Sequence, residues 1–320
     1  MEDVLLIINP KSGVDKHKDS MIKVAARLCE ERGLRFAADF TDRAGDACRL
    51  ARDAAEKGTG TVIVAGGDGT VRDAANGLWG TSSRLGIVPL GSGNGLARSL
   101  GISQMADMAL TTAMGPDTIT IDRGLANSES FYCAFGVGID AEVSYRFSLD
   151  RRRGRTTYIK HAIKEVFKYK PRHFSITVAG NQIETDAMLV AVCNCKQYGN
   201  NAYIAPKADP CDGKLDVTVV HSGNFLAKAV AGVELISGTL DRNILVEMFR
   251  ASDITIHSDA PEKAHLDGEP VEMAPTVRVE CEQAGLNVAV PKGVQPFRPI
   301  LTPVRSMIDD LINDIKKNII

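Results

Sequence analysis

The chain has 320 residues, 44% of them hydrophobic and 24% charged, with a formal net charge of −2, which predicts about two domains and gives no basis for a nucleic-acid partner. The apolar runs are too short for a transmembrane segment, and Met1 leads through Glu2 and Asp3 into a predicted strand rather than a signal peptide. Seven scattered cysteines favour a reducing, cytoplasmic location over a disulfide framework.

Strands and helices alternate through the first third of the chain, which predicts a parallel sheet covered by helices on both faces. The predicted strands are Val4–Ile8, Arg35–Phe40, Thr61–Ala65 and Leu85–Val88. The predicted helices are Asp19–Arg32, Ala44–Glu56, Val71–Leu78 and Leu96–Leu100. We therefore expect an α/β domain over residues 1–122.

Short strands separated by turns follow from about residue 118, which predicts a larger, mainly antiparallel β-sandwich domain over residues 123–302. The predicted strands are Ile119–Ile121, Phe131–Phe135, Phe174–Val178, Met188–Asn194, Leu215–Val220, Asp253–His257, Val277–Cys281 and Leu286–Val290. Helices are predicted near Thr157–Phe167 and Leu226–Leu235, and Ala179-Gly180 begins a hairpin turn. The terminal segment 303–320 is predicted to be an amphipathic helix that docks back on the first domain.

Three predicted strands of the first domain end in polar or glycine-rich loops. These loops are Asn9–Gly13, Gly66–Thr70 and Pro89–Gly95. Because the carboxyl ends of parallel strands share one edge of a sheet, their backbone N–H groups could surround a polyphosphate together. Thr70 is a plausible N-cap of the following helix. The spacing matches neither a P-loop nor GxGxxG, and any one of these loops alone could be a tight structural turn.

Taken together, these loops resemble the motifs of the diacylglycerol kinase catalytic-domain family, which includes soluble bacterial lipid kinases and sphingosine kinases. The likeness continues in order through Ile121–Gly124, Gly136–Ala141, Tyr198-Gly199, Ile204–Pro206, Asp212–Val217 and His265–Pro270. It covers nearly the whole chain. The resemblance implies an ATP-binding α/β domain, a β-sandwich domain for the lipid substrate, and a site in the cleft between them.

The resemblance also implies roles for particular positions. The positions that match the family's ATP-binding residues are Asn9, Thr41, Gly66, Gly67, Asp68, Gly69, Thr70 and Ser92. Those that match a magnesium-binding loop are Asp209, Asp212 and Lys214, the last through its backbone carbonyl, with Asp68 and Asp122 as further candidates for holding the metal. From local sequence alone, Thr41 could equally cap a helix, and Asp212-Gly213 could be an ordinary turn.

The family uses the loop that here contains Asp267 and Glu269 for its general base. A carboxylate there can accept the proton of the lipid hydroxyl as it attacks the γ-phosphorus. We expect Glu269 to be the acceptor, while Asp267 orients the site or serves instead. An Asp-Gly pair is also a common hairpin turn, so a solvated turn is the alternative. His265 is interpreted as a loop residue beside this acidic pair.

The sequence departs from the family pattern in two places. Arg72 stands where relatives usually carry an amide, and Gly95-Leu96 is closer to the form found toward the sphingosine kinases, so diacylglycerol itself stays open as substrate. The basic stretch Asp150–His173 is either a solvated helix face or a contact for anionic lipid headgroups.

These features predict an ATP- and Mg²⁺-dependent lipid kinase that phosphorylates a lipid alcohol at a membrane surface. The substrate could be diacylglycerol, a sphingoid base, phosphatidylglycerol or another alcohol. We expect a cytoplasmic protein, with peripheral attachment to the inner membrane face as an open alternative, and the oligomeric state is undetermined. Two other functions remain to be distinguished: NAD kinase, which shares the GGDGT turn, and a lipid- or nucleotide-binding regulator that has lost catalysis.

Overall fold

A computed structural model of the chain describes residues 3–13, 18–149, 169–260 and 262–293. The predicted helix over 303–320, the predicted helix over 157–167 and most of the basic stretch lie outside these residues, so those interpretations stay predictions. In the described part of the chain, no helix combines the length and the hydropathy needed to span a membrane.

The first lobe is built on a parallel sheet in the order β2-β1-β3-β4. Its elements are β1 (Val4–Ile8), α1 (Lys18–Glu30), β2 (Phe36–Phe40), α2 (Asp46–Glu56), β3 (Thr61–Gly66), α3 (Asp68–Leu78), β4 (Arg84–Pro89), α4 (Gly95–Ser99) and α5 (Ala106–Ala113). Every residue of β1 and β3 is buried, as uninterrupted β-branched and aliphatic runs predict for central strands covered on both faces.

The second lobe is mainly antiparallel. Its elements are β5 (Thr118–Ala126), β6 (Glu129–Phe131), β7 (Ala134–Gly138), α6 (Ile139–Leu149), β8 (Arg172–Val178), β9 (Asn181–Cys193), β10 (Leu215–His221), α7 (Phe225–Ser237), β11 (Val246–Ala251), β12 (Asp253–His257), β13 (Glu262–Leu266), β14 (Glu269–Met273) and β15 (Thr276–Ala289). The predicted fold class, a parallel α/β domain followed by an antiparallel β-sandwich, is confirmed.

Strand β15 connects the two lobes. It pairs in antiparallel fashion with β12 and β5, and near its end Val288 pairs in parallel with Leu85 of β4. The two predicted strands Val277–Cys281 and Leu286–Val290 belong to this one strand, and a register shift lies between Glu282 and Leu286. A domain boundary at residue 122 stays a prediction, since β5 runs through that position.

The start of α3 differs from its predicted position. The helix begins at Asp68 rather than Val71, with Gly67 as its N-cap in an extended conformation and without a side-chain cap. Thr70 therefore lies inside the first turn, and its expected role as N-cap is wrong. The extended backbone of Gly67 leads from β3 into the helix, which places Asp68 in the first turn of α3.

Candidate active site

The loops after β1, β3 and β4 meet at the carboxyl edge of the parallel sheet. The side-chain amide of Asn9 donates to the Thr70 hydroxyl over 2.8 Å, which ties the loop after β1 to the first turn of α3. The loops after β3 and β4 approach so closely that a Cβ on Gly91 would lie 2.8 Å from the Cα of Gly67. Glycine is therefore required at position 91 by close backbone approach.

Asp68 holds the loop after β4. Its Oδ2 accepts the backbone N–H of Asn94 over 2.8 Å, and its Oδ1 accepts that of Gly95 over 2.7 Å. Burial raises the pKa of Asp68 to about 6, against these two hydrogen bonds, which lower it. Both oxygens of Asp68 thus have a backbone partner, and its predicted role in holding the metal stays a prediction.

The other predicted nucleotide-binding residues line the same edge. Thr41 follows β2, is buried, and donates its N–H to the Ile8 carbonyl over 3.0 Å. Gly66 lies against the side chain of Thr70, since an added Cβ would be 2.6 Å from the Thr70 Cβ. Ser92 is exposed in the loop after β4.

The hairpin between β13 and β14 brings second-lobe carboxylates to this edge. Leu266 pairs with Glu269, and the two intervening residues, Asp267 and Gly268, have φ angles of 51° and 84°, as a two-residue hairpin turn with left-handed backbone requires. The Asp267 carboxylate accepts the backbone N–H groups of Tyr132, Cys133 and Ala134 over 2.7–3.0 Å. Asp267 is therefore both a turn residue and an anchor for the segment that precedes β7.

Glu269 reaches across to the first lobe. A Cβ added to Gly69 would lie 1.8 Å from the Glu269 Oε1, so the carboxylate rests directly on the first turn of α3. Its Oε2 accepts a hydrogen bond from Arg72 over 2.7 Å. The structure thus brings together the glycine loops of one lobe and a carboxylate of the other in one cleft.

The residues predicted for magnesium form a second group around the segment 209–214. The oxygens of Asp122 accept the N–H groups of Gly213 and Ala284, both over 2.7 Å, and Asp212 pairs with Arg250 over 3.3 Å. Among the described residues, no hydrogen bond or ion pair joins the carboxylates of Asp209 and Asp212 to the glycine loops.

Within this second group, Asp209 is the residue with an unused oxygen. It is 2% exposed, and its buried Oδ2 has no hydrogen-bond partner among the described residues. Burial raises the pKa of Asp209, and the nearby charges of Asp212 and Asp122 raise it further. No cluster of three His, Cys, Asp or Glu side chains suited to a metal occurs in the described ranges, so an ion here would also need oxygens from the backbone.

One buried cluster was not predicted. His265 was interpreted as a loop residue, but it lies in β13, is 2% exposed, and has its Nε2 2.9 Å from the Asp140 Oδ2. The Tyr198 hydroxyl donates to the same oxygen over 2.8 Å. His265 is buried because β13 lies between β14 and β7, so neighbouring strands enclose it. The Tyr198 carbonyl in turn lies 2.7 Å from where a Cβ on Gly95 would be, so this cluster adjoins the loop after β4.

Comparison with known proteins yields matches along most of the chain. Residues 3–126 match the diacylglycerol kinase catalytic domain, and residues 134–290 match the YegS C-terminal NAD kinase beta sandwich-like domain. The Escherichia coli K12 protein named lipid kinase YegS is 29% identical over 297 residues, covering 90% of this chain and 95% of its own. A crystal structure from Bacillus anthracis strain Sterne, provisionally described as a diacylglycerol kinase, superimposes with a TM-score of 0.78 at 27% identity, covering 92% of this chain and 97% of its own.

Proposed function

Because the chain belongs to the diacylglycerol kinase catalytic-domain family, we propose that it transfers the γ-phosphoryl group of ATP to a lipid hydroxyl in a Mg²⁺-dependent reaction. The enzyme is a phosphotransferase with an alcohol group as acceptor. The observation that carries the proposal is the contact of the second-lobe Glu269 with Gly69, where the glycine loops of the first lobe meet. Phosphoryl transfer needs this combination of a phosphate cradle and a facing proton acceptor.

The phosphate end of ATP would bind to the loops after β1, β3 and β4. Backbone N–H groups in the first turn of α3 would supply donors that suit phosphate oxygens, and the Asn9 amide and Ser92 hydroxyl lie at the same edge. Asp68 acts indirectly in this proposal, because it fixes the Asn94 and Gly95 backbone that shapes the loop after β4.

Glu269 would accept the proton of the lipid hydroxyl. The oxygens of Asp267 are committed to three backbone N–H groups, whereas Arg72 binds only Oε2 of Glu269. The remaining oxygen, Oε1, faces the first turn of α3, where the γ-phosphate would lie. Asp267 then serves as a positioning residue that fixes the hairpin from which Glu269 extends.

Residues of the segment 209–214 fit a magnesium ion. The unpartnered, buried Oδ2 of Asp209 is a hard oxygen donor of the kind that Mg²⁺ prefers, and Asp212 and the Lys214 carbonyl lie on the same short segment. A bound cation would supply charge neutralisation for these carboxylates. Asp122 shapes the segment through its hydrogen bond from Gly213.

The acceptor is proposed to be a lipid alcohol at a membrane surface, reached by a cytoplasmic enzyme. The second lobe also matches a domain described as NAD kinase-like, which keeps NAD as an alternative acceptor. The NAD-kinase and lipid-kinase proposals differ in one measurable property, the acceptor that becomes phosphorylated.

The test is incubation of the purified chain with γ-labelled ATP and Mg²⁺, in parallel with a total lipid extract in mixed micelles and with NAD. We expect label in a lipid product, identified by mass spectrometry, and none in NADP. Omission of Mg²⁺ should abolish transfer, and the variant Glu269→Gln should reduce it to a small residual rate. Label in NADP would favour the NAD kinase alternative, and ATP binding without transfer to any acceptor would favour a non-catalytic regulator.

A further inference from the structure

Arg72 joins the two lobes at the candidate site. It lies on α3, one turn after Asp68, and its side chain is 16% exposed. Its Nη1 donates to the Leu266 carbonyl over 3.0 Å and its Nη2 to the Glu269 Oε2 over 2.7 Å. Leu266 and Glu269 are register partners on β13 and β14, so one guanidinium binds both strands where the hairpin turns.

This arrangement depends on the shape of the arginine side chain. A planar guanidinium can hold two acceptors at fixed geometry, whereas an ammonium group is a point charge and an amide reaches a single acceptor here. The bond to Leu266 fixes the backbone next to the turn, and the bond to Oε2 fixes the rotation of the Glu269 carboxylate. Together they leave Oε1 directed at Gly69.

We propose that Arg72 is a positioning residue that holds Glu269 in the orientation needed to accept the proton. This inference rests on the proposed kinase function. It assigns a role to a residue at which this sequence departs from the amide usual in the family.

The test compares kcat and KM of Arg72→Gln and Arg72→Lys, each with Glu269 present and in a Glu269→Gln background. We expect Arg72→Gln to lower kcat about tenfold or more, with KM for ATP and lipid little changed, because only the proton acceptor is misplaced. Arg72→Lys should restore part of kcat. In the Glu269→Gln background, Arg72→Gln should have no further effect on the residual rate.

The matched control is Arg84→Gln. Arg84 is also partly buried and donates to the Gly115 carbonyl over 2.6 Å, but it lies at the start of β4, at the opposite end of the strand from the glycine loop. The substitution Arg84→Gln should lower the stability of the chain and leave kcat unchanged. An unchanged kcat in folded Arg72→Gln would overturn the inference alone, whereas a wild-type chain that transfers no phosphate would overturn the proposed function as well.

A second, independent observation concerns α7. None of its 13 residues is fully buried. The large apolar side chains exposed on and beside it are Phe225 (71%), Leu226 (71%), Val230 (45%), Val233 (67%), Ile236 (43%) and Ile244 (91%). These are six of the eleven large apolar side chains that are exposed in the described part of the chain, so they form a concentrated patch rather than scattered exposure.

The rest of α7 is attached to the second lobe. The Leu235 carbonyl accepts the N–H of Tyr203 over 2.8 Å, and Ala231 and Leu235 pack against the core near Ile204. Glu234, the acidic residue of the helix, is bound by the Asn243 amide. The charged residues of α7 are Lys228 and Glu234, so the helix combines large apolar side chains with a net charge of zero.

We infer that α7 and Ile244 dock on the surface of a lipid bilayer. A helix face of large apolar side chains without net charge suits the boundary between acyl chains and headgroups. The inference rests on the proposed function in one respect: a lipid substrate dissolved in a bilayer requires the enzyme to bind there, and the patch lies on the lobe proposed to receive the lipid.

The test is co-sedimentation of the full chain, without ATP, with vesicles of phosphatidylethanolamine and phosphatidylglycerol. The double variant Leu226→Glu/Val233→Glu should lower the affinity for vesicles about tenfold or more, because two apolar side chains that enter the bilayer are replaced by charges. The matched control, Met105→Glu/Met108→Glu, changes two side chains of the first lobe that are 52% and 56% exposed, and should bind as the wild type does.

Absence of vesicle binding by the wild type, or equal binding by the α7 variant, would overturn this inference. The alternative is that a second copy of the chain covers this face, which light scattering tests. If the wild type is a dimer, the α7 variant is a monomer and both bind vesicles equally, the face belongs to the dimer interface. Turnover of a short-chain, water-soluble substrate should be unchanged in the α7 variant, which separates failure of docking from failure of the proposed function.

Discussion

Asp68 and Asp267 use their carboxylates to organise backbone, whereas Glu269 keeps an oxygen directed into the cleft. Asp68 accepts two N–H groups of the loop after β4, and Asp267 accepts three from the segment 132–134. Hydrogen bonds to ionised acceptors are stronger than neutral ones, so these two residues fix the shape of the site. The proposed chemical step is left to the third carboxylate.

Nucleotide use should therefore depend on the ionisation of Asp68. Its pKa of about 6, raised by burial, means that the carboxylate gains a proton as the pH falls through about 6 and then loses an acceptor for one of its two N–H partners. We expect kcat/KM for ATP to fall below that pH. Asp68→Asn should raise the KM for ATP and lack this acidic limb; an unchanged pH profile in the variant would contradict this role.

Asp267→Asn and Glu269→Gln should differ in what they change: the first should lower stability and the second should lower turnover. Asp267→Asn loses charge-assisted hydrogen bonds to three N–H groups, so the free energy of unfolding should fall by about 2–4 kcal/mol. Glu269 is 51% exposed, so Glu269→Gln should change stability by less than about 1 kcal/mol while kcat falls to a small residual rate. Urea unfolding and initial-rate assays on both variants test the difference; a strongly destabilised Glu269→Gln would refute it.

At the scale of elements, β15 is the strand that makes the cleft possible. It belongs to the antiparallel sheet at Val279 and to the parallel sheet at Val288. The change occurs at Gly285, whose backbone lies against the indole of Trp79, the residue that follows α3. Arg123 of β5 covers the same ring at 4.2 Å, so helix α3, which carries Asp68 and Arg72, is pressed against the second lobe.

Gly285→Ala should loosen this junction. An added Cβ would lie 2.2 Å from a ring carbon of Trp79, so the strand or the helix must move, at a cost of about 1–3 kcal/mol. Gly232→Ala is the control, because a Cβ within α7 meets nothing within 4 Å and should stabilise the helix by about 0.5–1 kcal/mol. Thermal unfolding of both variants checks the signs, and a neutral Gly285→Ala would contradict the tight junction.

At the scale of the whole molecule, the two lobes share one sheet and part of one core. The core of the first lobe includes Leu286 and Val288 from β15, and Ile121 from β5. Direct contacts at the cleft add to this: Arg72 with Glu269, and Tyr132 with Asn76. The lobes are therefore not independent units connected by a linker.

We expect the chain to unfold in a single cooperative transition. Trp79 is the only tryptophan of the sequence and lies at the junction of the lobes, so its fluorescence reports on their contact. Urea midpoints from Trp79 fluorescence and from far-ultraviolet circular dichroism should coincide. An earlier fluorescence transition would mean that the lobes separate before either unfolds.

Local sequence patterns determined the first lobe closely. An uninterrupted apolar run predicted β1 with its observed bounds, and in the second lobe the composition predicted the hairpin turn at Ala179-Gly180. The loops at Asn9, Gly67 and Gly91 could be expected at one edge, because parallel strands order their carboxyl ends without further information. These features depend on neighbours in sequence or on a general rule of sheets.

Contacts between distant residues were decided only by the tertiary structure. Three hydrogen bonds of the site join residues that are 26, 134 and 197 positions apart. They are those of Asp68 with Asn94, Asp267 with Cys133 and Arg72 with Glu269. Periodicity carries no information about such pairs, because each depends on which strands the sheet brings side by side. For the same reason the resemblance to the kinase family pointed to the loop of Asp267 and Glu269, while only the fold set the Glu269 carboxylate against Gly69.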